Sequence, residues 1–160
     1  MTPQEFRRVL GHLPTGVTVI TARTQEGPVG MAANSVTSVS LEPPLVLFCP
    51  SRTSETWPQL RESGRFTINV MAHHHEDLTV RFAAKGVERF AGLDCVDGPT
   101  GPRLHDALAW IDCELRDEHD AGDHTIVVAD VLEINSAPEE QLKPPLVFFR
   151  GRYGTFRPVV

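Results

Sequence analysis

Six runs suited to extended chain follow one another with no long helix between them, and this restricts the fold more than any other feature. "GVTVITAR" (16–23), "LVLFC" (45–49), "RFTINVM" (65–71), "ALAWIDCELRDEH" (107–119), "HTIVVADVLEI" (124–134) and "PLVFFRGRYGTF" (145–156) are rich in β-branched and aromatic residues or alternate apolar with polar ones. A parallel sheet needs a crossover, usually helical, of a dozen or more residues between successive strands. Helical spacing occurs only in short stretches: Phe6, Val9 and Leu10 after Thr2 and Pro3; a segment starting near Thr56 and stopping at Gly64; and Leu78 with Phe82 in a helix ending at Gly86. The chain is therefore expected to form one domain over residues 1–160, mainly β with short helices, as an antiparallel β-barrel.

"LVLFC", continuously apolar, is expected to be a core strand buried on both faces, and "RFTINVM", which alternates Phe66, Ile68 and Val70, a half-buried one. Ala109, Ile111, Cys113 and Leu115 alternate toward one face, and "AGD" (121–123) turns that strand into the next. Residues 86–103, rich in Gly, Pro and Asp, are expected to be a long loop, and "PLVFFRGRYGTF" a single final strand.

The formal net charge of −6 and the lack of a basic stripe argue against nucleic acid as a partner. Three widely spaced cysteines suit neither a disulfide framework nor a zinc knuckle, which favours a reducing, cytoplasmic setting. No apolar run approaches the ~20 residues of a membrane helix, so no membrane partner is expected.

"ANSVTSVSLEPPLV" (33–46) breaks the alternation expected of a half-buried strand. Asn34, Ser35, Thr37, Ser38 and Ser40 place short hydrogen-bonding groups on both faces, so the strand is either an edge in water or presents hydroxyls and amides to a ligand. A second cluster, Ser51, Thr53, Ser54 and Thr56, runs into an expected helix N-terminus, where it either caps the helix or helps hold an anion. No glycine-rich phosphate loop is present. Adjacent His73, His74 and His75 point in different directions and do not make a metal site; Cys49 and Cys113 read as core residues. "GDHT" (122–125) places His124 at a hairpin turn, and Arg150, Arg152 and Tyr153 set two cations and an aromatic beside a buried strand.

In order along the chain, "LPTGVTVITA", "AANSVTSVSLEPPLVLFC", "SRTSETW", "GRFTINVM", "RFA", "GDHTIVVADV" and "PLVFFRGRYG" resemble the short-chain flavin reductases of two-component monooxygenases. The resemblance covers nearly the whole chain, and its most specific part is "NSVTSVSLEPPLV" together with "GDH". It implies a split β-barrel of the flavin-reductase-like type, a homodimer, and hydride transfer from NADH or NADPH to FMN or FAD for an oxygenase on a separate chain. Carried over by position, it implies flavin contacts at Ala33, Asn34, Ser35, Thr37 and Ser38; at Cys49, Ser51, Ser54 and Thr56; and at Phe82, Ala83 and Tyr153. His124 falls where the family faces the nicotinamide. The histidine triplet departs from the family's usual pattern, which touches only the start of the helix that follows. Hydride chemistry belongs to the two cofactors, consistent with the lack of an acid–base dyad or an activated nucleophile. Two other readings stand beside this one: another split-barrel oxidase, which would need a stronger basic phosphate grip, and a non-catalytic flavin- or haem-binding module.

Overall fold

The computed structural model describes residues 1–158, and its architecture is mainly β. In chain order the elements are α1 (Pro3–Leu10), β1 (Thr15–Gly16), β2 (Thr18–Thr24), β3 (Gly27–Ala33), β4 (Thr37–Leu41), β5 (Pro44–Phe48), α2 (Trp57–Ser63), β6 (Arg65–Val70), α3 (Glu76–Ala83), β7 (Cys95–Asp97), β8 (Pro102–Leu104), β9 (Ala109–Ala121), β10 (His124–Ser136), β11 (Leu146–Phe149) and β12 (Arg152–Thr155). Every strand pair is antiparallel.

Seven strands form one sheet in the order β3-β2-β6-β9-β10-β5-β4. Its two edges, β3 and β4, are consecutive in the chain and separated only by residues 34–36. Four Cα steps span at most about 14 Å, whereas seven strands laid flat would hold their outer members roughly 29 Å apart at the usual spacing. The sheet must therefore curl until its edges nearly meet, and Asn34, Ser35 and Val36 cross the remaining split. Inside the curl lies the main core, with Ile20, Phe48, Trp57, Leu60, Phe66 and Ile68 buried together. The Phe48 ring meets Trp57 and Phe66 edge to face at 5.4 and 5.5 Å, the geometry that ring quadrupoles prefer. A second cluster outside the curl packs Val17, Val19, Met71, Phe82, Leu104 and Leu146 beneath α3 and β11.

The helices start and stop where local chemistry requires. Thr2 and Glu5 form a reciprocal capping box on α1, and Gly64 ends α2 in the left-handed conformation at φ 69°. Trp57 and Leu60 of α2 plug one end of the barrel core.

Several expectations need correction. From the sequence the 33–46 segment is expected to be the next strand after "GVTVITAR" and its hairpin partner, but the strand that follows is "GPVGMAA"; Ala33 ends β3, and Thr37–Leu41 pairs with β5 at the opposite edge. On β5 only Val46 and Phe48 are buried, on the face turned to the barrel core, while Leu45 and Leu47 on the other face are half-buried. On β6, Thr67 and Asn69 are as buried as Phe66 and Ile68, so that strand is covered on both faces. Residues 86–103 contain β7 and most of β8 rather than only loop, and the final segment is the hairpin β11–β12, not one strand. Its tip, Arg150 and Gly151, lies at φ 50° and 76°, the left-handed pair a tight hairpin requires.

The covering of β6's outer face is a polar seam that sequence periodicity does not reveal. The Asp112 carboxylate is fully buried and accepts from the Thr67 and Thr100 hydroxyls at 2.7 and 2.6 Å and from the Arg103 guanidinium. Asn69 donates to the Val19 carbonyl at 3.0 Å and accepts from Leu104 N–H at 2.8 Å, while the Thr21 hydroxyl donates to the Pro102 carbonyl at 2.6 Å. The strap that closes this seam crosses β2 so tightly that a Cβ on Gly101 would sit 2.4 Å from the Thr21 carbonyl oxygen, so only glycine fits.

Candidate functional site

The residues singled out from the sequence fall around the split and the two segments that border it. Ala33 and Asn34, at the end of β3 and in the crossing segment, line a small shelf with Thr79, Ala83, Phe148 and Tyr153. The end of β3 is pinned by the Thr18 hydroxyl, which donates to the Ala33 carbonyl at 2.7 Å. Phe82 lies behind the shelf, buried and edge-on to Phe90 at 5.1 Å. Its ring is why β3 carries Gly30, whose Cβ would come within 2.8 Å of it. Phe82 therefore supports the shelf, and Ala83 beside it is the exposed residue. The Tyr153 ring packs against Phe148 at 5.2 Å, and burial raises its hydroxyl's pKa, keeping it a protonated donor.

Ser35 is half-buried in the crossing segment and its Oγ accepts from Cys49 N–H at 2.8 Å, tying the split to the end of β5. A hydroxyl used as an acceptor still has its own proton to donate. Thr37 and Ser38 lie exposed on the edge strand β4. The Cys49 thiol is pushed up in pKa by burial, which disfavours the thiolate and any nucleophilic role.

The second hydroxyl cluster is partly occupied. Ser54 Oγ accepts from Trp57 N–H at 3.1 Å and so caps α2, while Ser51 Oγ shares a hydrogen bond with Thr53 Oγ1 at 2.9 Å. Thr56 is buried and accepts from Arg89 at 2.6 Å. The same guanidinium donates to the Gly30 carbonyl at 2.8 Å, so Arg89 clamps β3 to the start of α2. Arg89 lies in a Gly- and Phe-flanked turn with no periodic signal, so only the fold reveals it.

The "GDH" turn is zipped to this cluster. Ser51 and His124 form an antiparallel bridge, Arg52 N–H donates to the Asp123 carbonyl at 2.9 Å, and Thr125 N–H donates to the Pro50 carbonyl at 3.0 Å. His124 Nδ1 lies 2.7 Å from the Asp123 carboxylate. A carboxylate only accepts, so Nδ1 carries the proton and Nε2 is left as the free ring nitrogen. That hydrogen bond holds the Asp123 carboxyl below its usual pKa. The turn histidine is thus oriented, with its ring about half exposed.

The histidine triplet does not converge. His73–His75 forms one turn of 3₁₀-helix ahead of α3, and among the described residues no group of three or more His, Cys, Asp or Glu side chains is placed to hold a metal ion. His75 is buried, accepts from Ala72 N–H at 3.2 Å, and has its pKa lowered to about 4 by desolvation.

The donor set suits a flavin. Small side chains at Ala33 and Ala83 would leave room for a flat ring, and Asn34 and Ser35 could offer an amide and a hydroxyl proton to its polar edge. The shelf also holds an orphan: Thr79 Oγ1 is fully buried with no hydrogen-bond partner among the described residues. A buried hydroxyl left unpaired costs stability, and this one lies behind the shelf surface.

Comparison with known proteins agrees in order and extent. Residues 10–157 match the flavin reductase like domain family. The reductase subunit HsaB of a flavin-dependent monooxygenase from Rhodococcus jostii is 43% identical over 157 residues, covering 98% of this chain and 79% of that protein. The crystal structure of nitrilotriacetate monooxygenase component B from Mycobacterium thermoresistibile superposes with a TM-score of 0.92 at 41% identity, over 96% of this chain and 86% of that one. The Streptomyces globisporus NADH:FAD oxidoreductase SgcE6, solved with NAD and FAD fragments, gives 0.89 at 35% identity over 97% and 93%.

Proposed function

Because this chain belongs to the flavin reductase like domain family, we propose that it moves hydride from NADH or NADPH to FMN or FAD and supplies reduced flavin to a monooxygenase on a separate chain. The observation that carries this reading is the shelf at the barrel split, where small side chains and unspent donors meet. Ala33, Asn34, Ser35, Ala83 and Tyr153 would hold the ring, with Thr37, Ser38 and the Cys49 backbone continuing along the split. Ser51, with Ser54 and Thr56 fixing the backbone behind it, would receive the ribityl-phosphate end. Phe82 acts from behind, as a rigid backing. The bound flavin supplies the hydride acceptor, and the protein's part is to orient it and exclude competing geometry. His124, its tautomer set by Asp123, offers Nε2 as a hydrogen-bonding group toward the nicotinamide.

The same proposal includes a homodimer. The apolar C-terminal run "PLVFF" offers little to such a face beyond Phe149, which is 44% exposed, since Leu146 is buried and Phe148 half-covered within the chain. A better candidate is the strip of Val39 and Leu41 on edge strand β4 with Leu132 and Ile134 at the end of β10, of which Leu41 is 91% and Ile134 70% exposed. A cytoplasmic setting is supported by three cysteines that are all unpaired; no helix of the described residues is long and apolar enough to cross a membrane.

The test is to mix the protein with FMN or FAD and with NADH or NADPH and follow the nicotinamide absorbance. Flavin-dependent loss of that absorbance is expected. Flavin binding without donor oxidation under every pairing would leave a flavin carrier instead.

A further inference from the structure

Arg89 is a cation drawn into the fold without an acid to meet it. Six other arginines of this chain lie within ion-pairing distance of a carboxylate; Arg89, half-buried in the turn after α3, has none among the described residues. Its Nη1 donates to the Gly30 carbonyl at 2.8 Å and to Thr56 Oγ1 at 2.6 Å, while Nε and Nη2 both donate to the Ala84 carbonyl, Nε at 3.2 Å. All three acceptors are neutral, and one N–H on Nη2 stays unspent. Burial lowers the guanidinium's pKa, and Glu55 favours the charge only from beyond ion-pairing distance. Taking a cation out of water without a counter-ion is costly, and an anionic ligand is the partner that would offset it.

The three acceptors belong to three borders of the site. Gly30 lies on the edge strand β3, Ala84 follows Ala83 at the end of α3, and Thr56 closes the 51–56 segment ahead of α2. Thr56 carries a second, independent sign. It stands in the capping position of α2 but makes no capping bond, because Ser54 Oγ accepts from Trp57 N–H instead. The Thr56 hydroxyl, on a residue only 8% exposed, is thereby left to hold the guanidinium in place behind its own segment. The other cations nearby are engaged or in water: Arg52 lies 3.6 Å from Asp120, Arg61 pairs with Glu118, and Lys85 in the turn is exposed, where solvent already screens it.

Resting on the proposed function, we infer that Arg89 is a specificity-determining residue, whose charge, fixed behind residues 51–56, makes the site prefer flavins that carry a phosphate, FMN and FAD, over riboflavin. A phosphate brings the negative charge that the guanidinium lacks. Riboflavin, with the same ring and ribityl chain, leaves that charge as it was.

The experiment titrates FMN and riboflavin, with no nicotinamide present, into wild type, Arg89→Gln and Arg89→Lys, and follows the quenching of flavin fluorescence. In Arg89→Gln the affinity for FMN should fall on the order of tenfold, the low end of the range for a group interacting with an ion, while that for riboflavin changes by less than about threefold. Arg89→Lys cannot span three acceptors but keeps the charge, so it should hold FMN more tightly than Arg89→Gln does. Its ratio of FMN to riboflavin affinity should stay within about threefold of wild type, a measurement that stands even if Arg89→Gln does not fold. A residue that merely clamps the three borders would lower both flavins alike, with lysine no better than glutamine, and that result would overturn the inference. An unchanged FMN affinity in Arg89→Gln, or a lost phosphate preference in Arg89→Lys, would overturn it as well. Where riboflavin binds wild type too weakly to measure, the order of lysine and glutamine toward FMN decides. The outcome is separate from that of the proposed function: a phosphate preference lost in Arg89→Gln and kept in Arg89→Lys supports the role of Arg89 even in a protein that fails to oxidise NADH. Conversely, NADH oxidation with the preference intact in Arg89→Gln overturns that role and leaves the reductase reading in place.

Discussion

Two regions of this molecule are built from the same short polar side chains and do opposite things with them. In the seam outside the barrel, Thr21, Thr67, Asn69, Thr100 and Asp112 are buried and bonded to one another or to the Gly98–Leu104 strap. At the split, Asn34, Ser35, Thr37, Ser38 and Ser51 are exposed or half-buried, and their bonds leave capacity over. The difference lies in where the partners are. A polar group whose partners are all internal holds the fold; one whose partners are incomplete at an opening can bind something. Thr79, buried beside the shelf with its hydroxyl unpaired, marks the boundary between the two.

The comparison breaks most visibly at Asp112. Asp112→Ala leaves the Thr67 and Thr100 hydroxyls without their shared acceptor and Arg103 with only Glu133 at 3.6 Å, and should cost about 3 kcal/mol, the scale for buried polar groups left unpaired. Against a total of roughly 5–15 kcal/mol this is a large share, and the chemical denaturation midpoint should fall accordingly. The Asp112 carboxyl is held below its usual pKa by the Thr100, Arg103 and Thr67 hydrogen bonds, which outweigh its desolvation. A depressed carboxylate contributes stability that is full above the unfolded value, 3.8, and is lost as pH falls through the folded one, so acid unfolding in wild type should steepen below pH ~4.

His75 gives a second pH-dependent term with a different window. Its folded pKa is lowered from 6.5 to about 4, so the unfolded chain binds the proton first and stability declines as pH falls between those values. In His75→Asn, which keeps an acceptor for Ala72 N–H, stability should vary less over that interval; a profile identical to wild type would remove His75 from the account.

Substitutions at the split should leave the fold in place and change binding. His124→Ala is expected to lower kcat/KM for NADH by on the order of 10- to 100-fold, the range of a positioning contact, with the thermal midpoint nearly unchanged. Unaltered kcat and KM would return His124 to a solvated turn. Ser35→Ala should weaken flavin binding by roughly 1 kcal/mol, about fivefold, and cost a similar amount of stability through the lost Cys49 bond. Thr56→Ala should act less directly, by loosening Arg89. The smallest effect is expected at Thr37→Ala and Ser38→Ala, where stability should move by less than about 0.5 kcal/mol and flavin affinity only slightly.

The β-branched runs made most of the sheet legible, because apolar periodicity directly reports which strands border a core. β3 was hidden, since "GPVGMAA" trades β-branched residues for glycine, and Gly30 is there for the Phe82 ring rather than for strand propensity. β12 merged with β11 because Arg150 adopts the left-handed conformation usually left to Gly or Asn. The seam was illegible for a more general reason: in a strand, a polar residue facing water and one facing another polar residue have the same pattern. Thr67, Asn69 and Asp112 therefore read as solvent-facing, while Asn34 to Ser38 stood out only by breaking alternation. His124 was visible as a residue but not as an oriented one, because the segment bridged to its turn, residues 50–52, lies far from it in sequence.

Amide hydrogen exchange with and without FMN tests the central distinction most directly, since it reads both regions in one sample. Exchange should slow on flavin addition at residues 33–38 and 49–56, while the seam over residues 98–112, already closed in the free protein, stays as it was. Unchanged exchange across the split, with new protection confined to the seam, would contradict the account.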